Sequence, residues 1–298
     1  MKKIVTQHIA GLAAVGTVFL LLSFTLPDPG VHENPYSMDV LAAQTHTSAP
    51  LGPMIFRFLF VYVAVMVLTY YGAQTLALFR FVRAKQAVAI PPSPIMSAVY
   101  GIAWTMISFL LFAPGYVIVY SLKSVIDTSS VILMIILGVV SNGVLVNYAN
   151  KFYTLLVNES RKGYVQTALV KNIHSSYQFH VADGIRLRKL IGFRKRFPGH
   201  VLDQILHNAR HQYRSTLKEQ ASFVITGLVI IEMALNIQGH LCYELMQSLL
   251  FKNYDAVLGI MFVIFCAVKI TDLVVDIWIW RSERHYANLE ADEASAGG

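Results

Sequence analysis

The sequence predicts an all-α integral membrane protein with about six transmembrane helices. Of the 298 residues, 55% are hydrophobic and only 14% are charged, whereas soluble domains carry about 25% charged residues. The mean hydropathy is +0.54, and the apolar residues gather in long runs that short charged stretches separate. This distribution is typical of a chain that crosses a membrane several times.

Six apolar segments approach the ~20 residues that a helix needs to cross a hydrocarbon core of about 30 Å. The fifth carries Lys218 and Glu219 at its start, and we expect its helix to begin near Leu217. The first follows Lys2 and Lys3, as in a signal peptide, but no small-residue cleavage site follows it closely, so we expect it to be retained. The segments cover residues 4–26, 54–79, 95–120, 131–148 (with an extension towards 157), 223–237 and 256–280.

Lysine and arginine fall mainly in alternate connections, which predicts the orientation. Thirteen of them lie between residues 151 and 218, twelve of these in the long connection 149–216, whereas the segment 27–53 has none. Because cytoplasmic loops retain basic residues, both termini of this multi-pass protein are predicted to lie inside, with 27–53 outside. The same asymmetry accounts for the net charge of +7, so lipid and not nucleic acid is the expected surrounding partner.

One stretch of the basic connection, residues 163–173, reads Gly-Tyr-Val-Gln-Thr-Ala-Leu-Val-Lys-Asn-Ile. It resembles the cytoplasmic signature of the membrane permeases of peptide-type ATP-binding-cassette importers, the dipeptide, oligopeptide and nickel group. Asn172 stands where that family has glycine, and asparagine also tolerates a left-handed turn. The matching residues are Tyr164, Val165, Thr167, Ala168 and Lys171.

Further stretches resemble the same family in order along the chain. The first apolar segment closes in a Pro-Asp-Pro-Gly cluster (27–30), as the first helix of these permeases does. The C-terminal half then carries four short similarities, at 207–209, 226–232, 254–260 and 272–276. Together they identify the chain as resembling a divergent member of the family.

The resemblance implies a type I importer permease-like bundle that forms half of a translocation pathway for small peptides or a similar solute. It also implies three kinds of partner: a second permease subunit, cytoplasmic ATPase subunits that dock on a coupling helix at 164–173, and an extracytoplasmic solute-binding protein. The chain has no Gly-x-x-x-x-Gly-Lys-[Ser/Thr] phosphate loop, so we expect it to be no enzyme itself and to need no cofactor.

The family has only a few residues where this chain inserts 174–198. An insertion at the expected ATPase contact leaves a second interpretation open, in which a permease-derived scaffold subunit of a larger complex no longer transports. The insertion mixes basic and apolar residues, as an interfacial helix on anionic lipid or a docking surface does. Its basic candidates for either role are Arg186, Arg188, Lys189, Arg194, Lys195 and Arg196.

Charged residues inside apolar segments are costly and need a reason. Glu232 interrupts the fifth segment, and it is a candidate either for lining a pathway or for a structural hydrogen bond. Lys269, Asp272 and Asp276 lie at i, i+3 and i+7 of the sixth segment, where Lys269 and Asp272 can pair on one helix face. His207 and His211 are four apart, but no third ligand has fitting spacing, so no metal site is predicted.

Overall fold

The computed structural model describes residues 2–25, 51–89, 93–112, 115–121, 130–171, 176–178, 185, 187–192 and 195–296. Every regular element among these residues is helical. The α-helices, numbered in chain order, are α1 (Lys2–Thr25), α2 (Leu51–Ala89), α3 (Pro94–Phe112), α4 (Gly115–Ser121), α5 (Val131–Val140), α6 (Val144–Ser160), α7 (Gly163–Val170), α8 (Leu187–Ile191), α9 (Val201–Tyr213), α10 (Leu217–Leu235), α11 (Leu241–Leu250) and α12 (Tyr254–Ala296).

Three helices in the described residues are long and apolar enough to cross a membrane. They are Ile4–Ser23 in α1, Leu51–Ala87 in α2 and Tyr254–Arg284 in α12. A fourth is obtained if α5 and α6 are counted as one broken span. The all-α prediction and the membrane character therefore have direct structural support. The predicted number of six transmembrane helices stays a prediction.

Two of the predicted segments contain more than one of the described helices. The third, 95–120, contains α3 and α4, and Pro114 lies outside the described residues. The fourth is interrupted by a 3₁₀ turn at Ser141–Gly143, where Gly143 has a φ of 66°. α10 begins at Leu217 as expected, and α12 extends beyond the predicted sixth segment. Most of the predicted outer segment 27–53 lies outside the described residues.

The chain forms two compact units, and the first consists of Met1–Val65, Tyr116–Gly138 and Ala221–Trp280. Within it α1 lies against α12, where the rings of Phe19 and Phe262 meet edge to face with their centroids 5.5 Å apart. α2, α5 and α10 approach closely around Gly138, which leaves no room for a side chain there. The buried apolar residues of this unit include Phe58, Val61, Val65, Leu228, Ile231 and Ile260.

The second unit consists of Met66–Gly115, Val139–Gln220 and Arg281–Gly298. α9 packs against α6 and α7 in this unit, because Ile205, Ala209 and Tyr213 recur every four residues and are all buried. The Tyr213 ring meets the Phe152 ring edge to face, with centroids 4.9 Å apart. In contrast, α3 exposes large apolar side chains, namely Ile95, Ile102, Met106 and Phe109, as a lipid-facing helix does.

Candidate functional site

The predicted coupling residues lie on α7, a helix of eight residues. A tight turn connects it to α6, since the backbone N–H of Lys162 donates to the carbonyl of Glu159 over 3.2 Å. Val165 and Ala168, three positions apart, are buried and so lie on one face of the helix. Because α7 packs against α9, this face holds the helix in place.

The opposite face of α7 is open. Gln166 and Thr167 are exposed, and Val170 is 87% exposed. The Thr167 hydroxyl donates to the carbonyl of Gly163 over 3.2 Å, so it is satisfied within its own helix. Lys171 follows the helix and is also exposed, whereas Asn172 lies outside the described residues. The predicted coupling residues therefore divide into a buried pair and an exposed set, with Tyr164 half-buried between them.

A buried carboxylate anchors α7 to its neighbours. Glu159, at the end of α6, is completely buried, and it accepts a hydrogen bond from the Tyr164 hydroxyl over 3.1 Å. Its other oxygen accepts from the Gln212 side chain of α9 and pairs with Lys162. Hydrogen bonds to an ionised group are about twice as strong as neutral ones. We refer to Glu159, Lys162, Tyr164 and Gln212 as the Glu159 cluster; it fastens α6, α7 and α9 together.

The Tyr164 hydroxyl stays protonated across the physiological pH range. Burial raises the pKa of Tyr164 to about 12, and the negative charge of Glu159 adds to the effect, although a hydrogen bond with Asn208 opposes it. A protonated phenol is a permanent donor to the carboxylate. The contact between α6 and α7 is consequently insensitive to pH near neutrality.

The described basic residues of the insertion are not all exposed. Arg188, Lys189 and Arg196 are exposed, and Arg186 and Arg194 lie outside the described residues. The prediction that Lys195 is a membrane-surface or docking residue is wrong, because its side chain is only 1% exposed. Residues 195–197 have no helical structure, and burial alternates along them: Lys195 and Phe197 are buried, and Arg196 is exposed.

The buried ammonium of Lys195 has no carboxylate partner among the described residues. Its Nζ donates to the backbone carbonyl of Tyr71 over 3.2 Å. Arg210 of α9 lies close by and donates from Nε to the Gln74 side chain over 3.0 Å and from Nη1 to the carbonyl of Lys195 over 3.5 Å. Burial, reinforced by the Arg210 charge, lowers the pKa of Lys195 to about 7.

Glu232 is closed off from solvent, at 1% exposure. One carboxylate oxygen accepts from the backbone N–H of Cys242 over 3.1 Å, and the other lies 3.1 Å from Nδ1 of His240. Nε2 of the same imidazole lies 3.3 Å from Nη1 of Arg57. Since a guanidinium can only donate, Nε2 accepts and Nδ1 carries the proton. The carboxylate therefore ties α10 to the start of α11, and a role in lining a pathway stays a prediction.

The three predicted charged residues of α12 have polar contacts in the first unit. Lys269 and Asp272 pair at 3.4 Å between Nζ and Oδ2, as their i, i+3 spacing predicts. Asp276 lies 2.8 Å from Nε2 of His8 in α1. The contact accounts for a histidine near the start of the first apolar helix, which the sequence analysis did not single out.

The sequence analysis also missed Glu159, although a signal was present. Phe152, Leu156 and Glu159 follow the i, i+4, i+7 spacing of one helix face, and all three are buried. A carboxylate in line with two large apolar residues indicates a buried anchor.

No protein-family model matches the chain, and no curated protein sequence matches it at a significant level.

Proposed function

We propose that the chain is the permease subunit of an ATP-binding-cassette importer in the bacterial inner membrane. In this proposal six helices, with both termini inside, form half of a translocation pathway for small peptides or a similar solute. A second permease subunit completes the pathway, an extracytoplasmic solute-binding protein delivers the substrate, and separate ATPase subunits dock on α7. The proposal extends the sequence resemblance at 163–173.

The observation that carries the proposal is the two-sided character of α7. Its inner face is buried at Val165 and Ala168, and its outer face ends in Val170, which is 87% exposed. An exposed apolar side chain on a firmly held short helix is suited to contact another protein. A helix that served only to connect α6 with the insertion would need neither the buried anchor nor the apolar tip.

In this proposal the Glu159 cluster transmits a displacement of α7 to α6. The cluster binds α7 to the end of α6 and to α9 through a buried carboxylate. Displacement of α7 by a partner would therefore move α6 as a rigid element, since breaking the cluster would strand a buried charge. In this proposal α5 and α6 together count as one broken span, the fourth. Alternating access is the expected result of that movement.

A charge on the outer face of α7 tests the proposal. Thr167→Arg places a cation on an exposed position and is expected to leave the fold intact while most of the co-purifying ATPase is lost. Gln204→Arg, an equal change at an exposed position of α9, is the matched control and should retain it. Ala168→Arg is unsuitable, because Ala168 is buried and the variant would disturb packing whatever its role.

The measurement is affinity purification of each tagged variant from its own membranes in mild detergent. ATP hydrolysis by the purified complex and uptake in cells complete the comparison. The proposal requires an ATP-hydrolysing subunit with the unmodified chain and with Gln204→Arg. Purification with membrane proteins that hydrolyse no ATP would contradict it and would favour the scaffold interpretation.

A further inference from the structure

A cavity of about 980 Å³ lies in the second unit among α2, α3 and α6. This volume is at the upper end of the range of about 300–1,000 Å³ that small-molecule sites occupy. Two arginines of α2, four aromatic residues and several apolar side chains line it. We call it the arginine pocket and define it by Arg80, Arg83, Tyr100, Trp104, Ile107 and Tyr153.

The two guanidinium groups are held by aromatic rings. Arg80 lies over Trp104 at 4.6 Å and over Tyr153 at 5.0 Å from the ring centroids, and Arg83 lies over Tyr100 at 3.5 Å. Arg80 also donates to the Asn150 side chain. Such stacking orients a guanidinium but leaves its positive charge uncompensated. Since no carboxylate occurs among the described residues that line the pocket, its ligand is expected to be anionic.

Apart from Gln86, Ser97 and Gln178, the rest of the pocket lining is apolar or aromatic, and it continues onto an apolar surface. Leu76 and Phe79 belong to the lining, and Ile107, also in the lining, is 50% exposed. Its neighbours on α3, Met106 and Phe109, are 68% and 76% exposed. A small soluble anion would use only the arginines, whereas an amphiphile would also cover the apolar wall and the adjoining face of α3.

The pocket also has the right depth for a lipid. Arg80 and Arg83 lie in the last turns of the candidate span Leu51–Ala87. Tryptophan, tyrosine and basic residues gather at this level of a membrane protein, where phospholipid head groups lie. By the charge asymmetry of the sequence, this end of α2 faces the cytoplasmic leaflet.

We propose that the arginine pocket binds one anionic phospholipid of the cytoplasmic leaflet. Arg80 and Arg83 hold the phosphate through charge-assisted hydrogen bonds. The acyl chains run past Ile107 along the exposed face of α3. This lipid site is independent of transport, and it would exist equally in a scaffold subunit.

Tryptophan fluorescence provides a local test. The chain has three tryptophans, so the double variant Trp278→Phe, Trp280→Phe leaves Trp104 in the pocket as the sole reporter. The full-length variant is placed in phosphatidylcholine nanodiscs that contain a small fraction of lipid with brominated acyl chains. Brominated phosphatidylglycerol is expected to quench Trp104 at a several-fold lower fraction than brominated phosphatidylcholine, because two arginines attract the anionic head group.

Charge variants in this background establish the cause. Arg83→Gln should weaken the preference for phosphatidylglycerol, Arg80→Gln with Arg83→Gln should abolish it, and Arg83→Lys should retain much of it. Arg161→Gln, at an exposed position outside the pocket lining, is the control and should leave the preference unchanged. The Trp104 emission maximum and the size-exclusion profile of each variant verify that it is folded.

Two results would overturn the proposal. Equal quenching by the two brominated lipids would show that Trp104 senses only bulk bilayer. Loss of the preference on adding millimolar inorganic phosphate at constant ionic strength would show that the arginines take a free anion. Persistence of the preference under phosphate, together with its loss in the double arginine variant, supports the lipid site.

Discussion

The hydroxyl of Tyr164 donates to Oε2 of Glu159 over 3.1 Å, and this bond joins the first turn of α7 to the last turn of α6. Tyr164 is the first matching residue of the permease-like signature, and Glu159 lies five positions before it in the sequence. A buried charge at this junction makes the position of α7 costly to change. The predictions below follow from this junction and from three other buried contacts.

Glu159→Ala should destabilise the protein by about 1–3 kcal/mol, because Tyr164 and Gln212 would lose the acceptor that they share. Thermal unfolding in detergent, followed by circular dichroism, measures the change. Glu219→Ala is the control: Glu219 is 60% exposed and pairs with Lys151, so its loss should cost at most about 1 kcal/mol. Equal unfolding temperatures for the two variants would contradict the anchoring role of Glu159.

Glu232→Gln should cost about 1–3 kcal/mol. The amide that replaces the carboxylate has only one accepting oxygen, whereas the Cys242 N–H and the His240 ring each donate to Glu232. Glu244→Gln is the matched change at a half-exposed position of α11 and should cost less than about 1 kcal/mol. Comparable unfolding temperatures would show that the carboxylate does not anchor α11.

Gly138→Ala should destabilise the first unit by about 1–3 kcal/mol. A methyl group at this position would lie 2.7 Å from Cγ2 of Val65 and 3.0 Å from Cδ2 of Leu228, so these side chains or their helices must shift. Gly101→Ala in α3 meets nothing within 4 Å, and it should stabilise its helix by about 0.5–1 kcal/mol. Opposite signs of the two changes in unfolding temperature are the expected outcome; the same sign would refute the close approach.

Lys195 should make stability depend on pH. Its pKa is about 7 in the folded protein against an ordinary 10.5, so between these values the unfolded chain binds a proton that the folded protein does not. Stability therefore rises as the pH increases from about 7 to about 10.5, and the full penalty of burying the charge applies below pH 7.

Lys195→Met removes this penalty. The variant should be more stable than the unmodified protein at pH 6, on the order of 1–3 kcal/mol, and the difference should disappear towards pH 10. Unfolding temperatures measured across this range give the comparison. Lys189→Met, at an exposed position of α8, should leave the profile unchanged. A destabilised Lys195→Met at pH 6 would mean that the bond to Tyr71 outweighs the burial of the charge.

The sequence predicted helices from the length of apolar runs, and these predictions were reliable where one run forms one helix. α1, α2 and α12 follow their runs, and the predicted start of α10 at Leu217 is confirmed. The interruption of the fourth segment depends on a glycine at positive φ. Gly143 has such a φ. In the sequence, however, a glycine that interrupts a helix looks the same as a glycine that allows two helices to pack closely.

The buried polar contacts were harder to predict because their partners are distant in sequence. Glu159 meets Gln212 over 53 positions, and Lys195 meets Tyr71 over 124. Glu159 does follow a buried helix face, so its burial was readable from the spacing with Phe152 and Leu156. Lys195 stands in a run of basic residues, and nothing in that run distinguishes the buried Lys195 from the exposed Arg196.

Site-specific photocrosslinking from the two faces of α7 tests the central proposal most directly. A benzophenone amino acid at position 170 replaces a valine that is 87% exposed, and one at position 165 replaces a valine that is 7% exposed. The account predicts that illumination of native membranes joins position 170, and not position 165, to a subunit that hydrolyses ATP. Crosslinks from position 170 to lipid alone, or to proteins without ATPase activity, would contradict it.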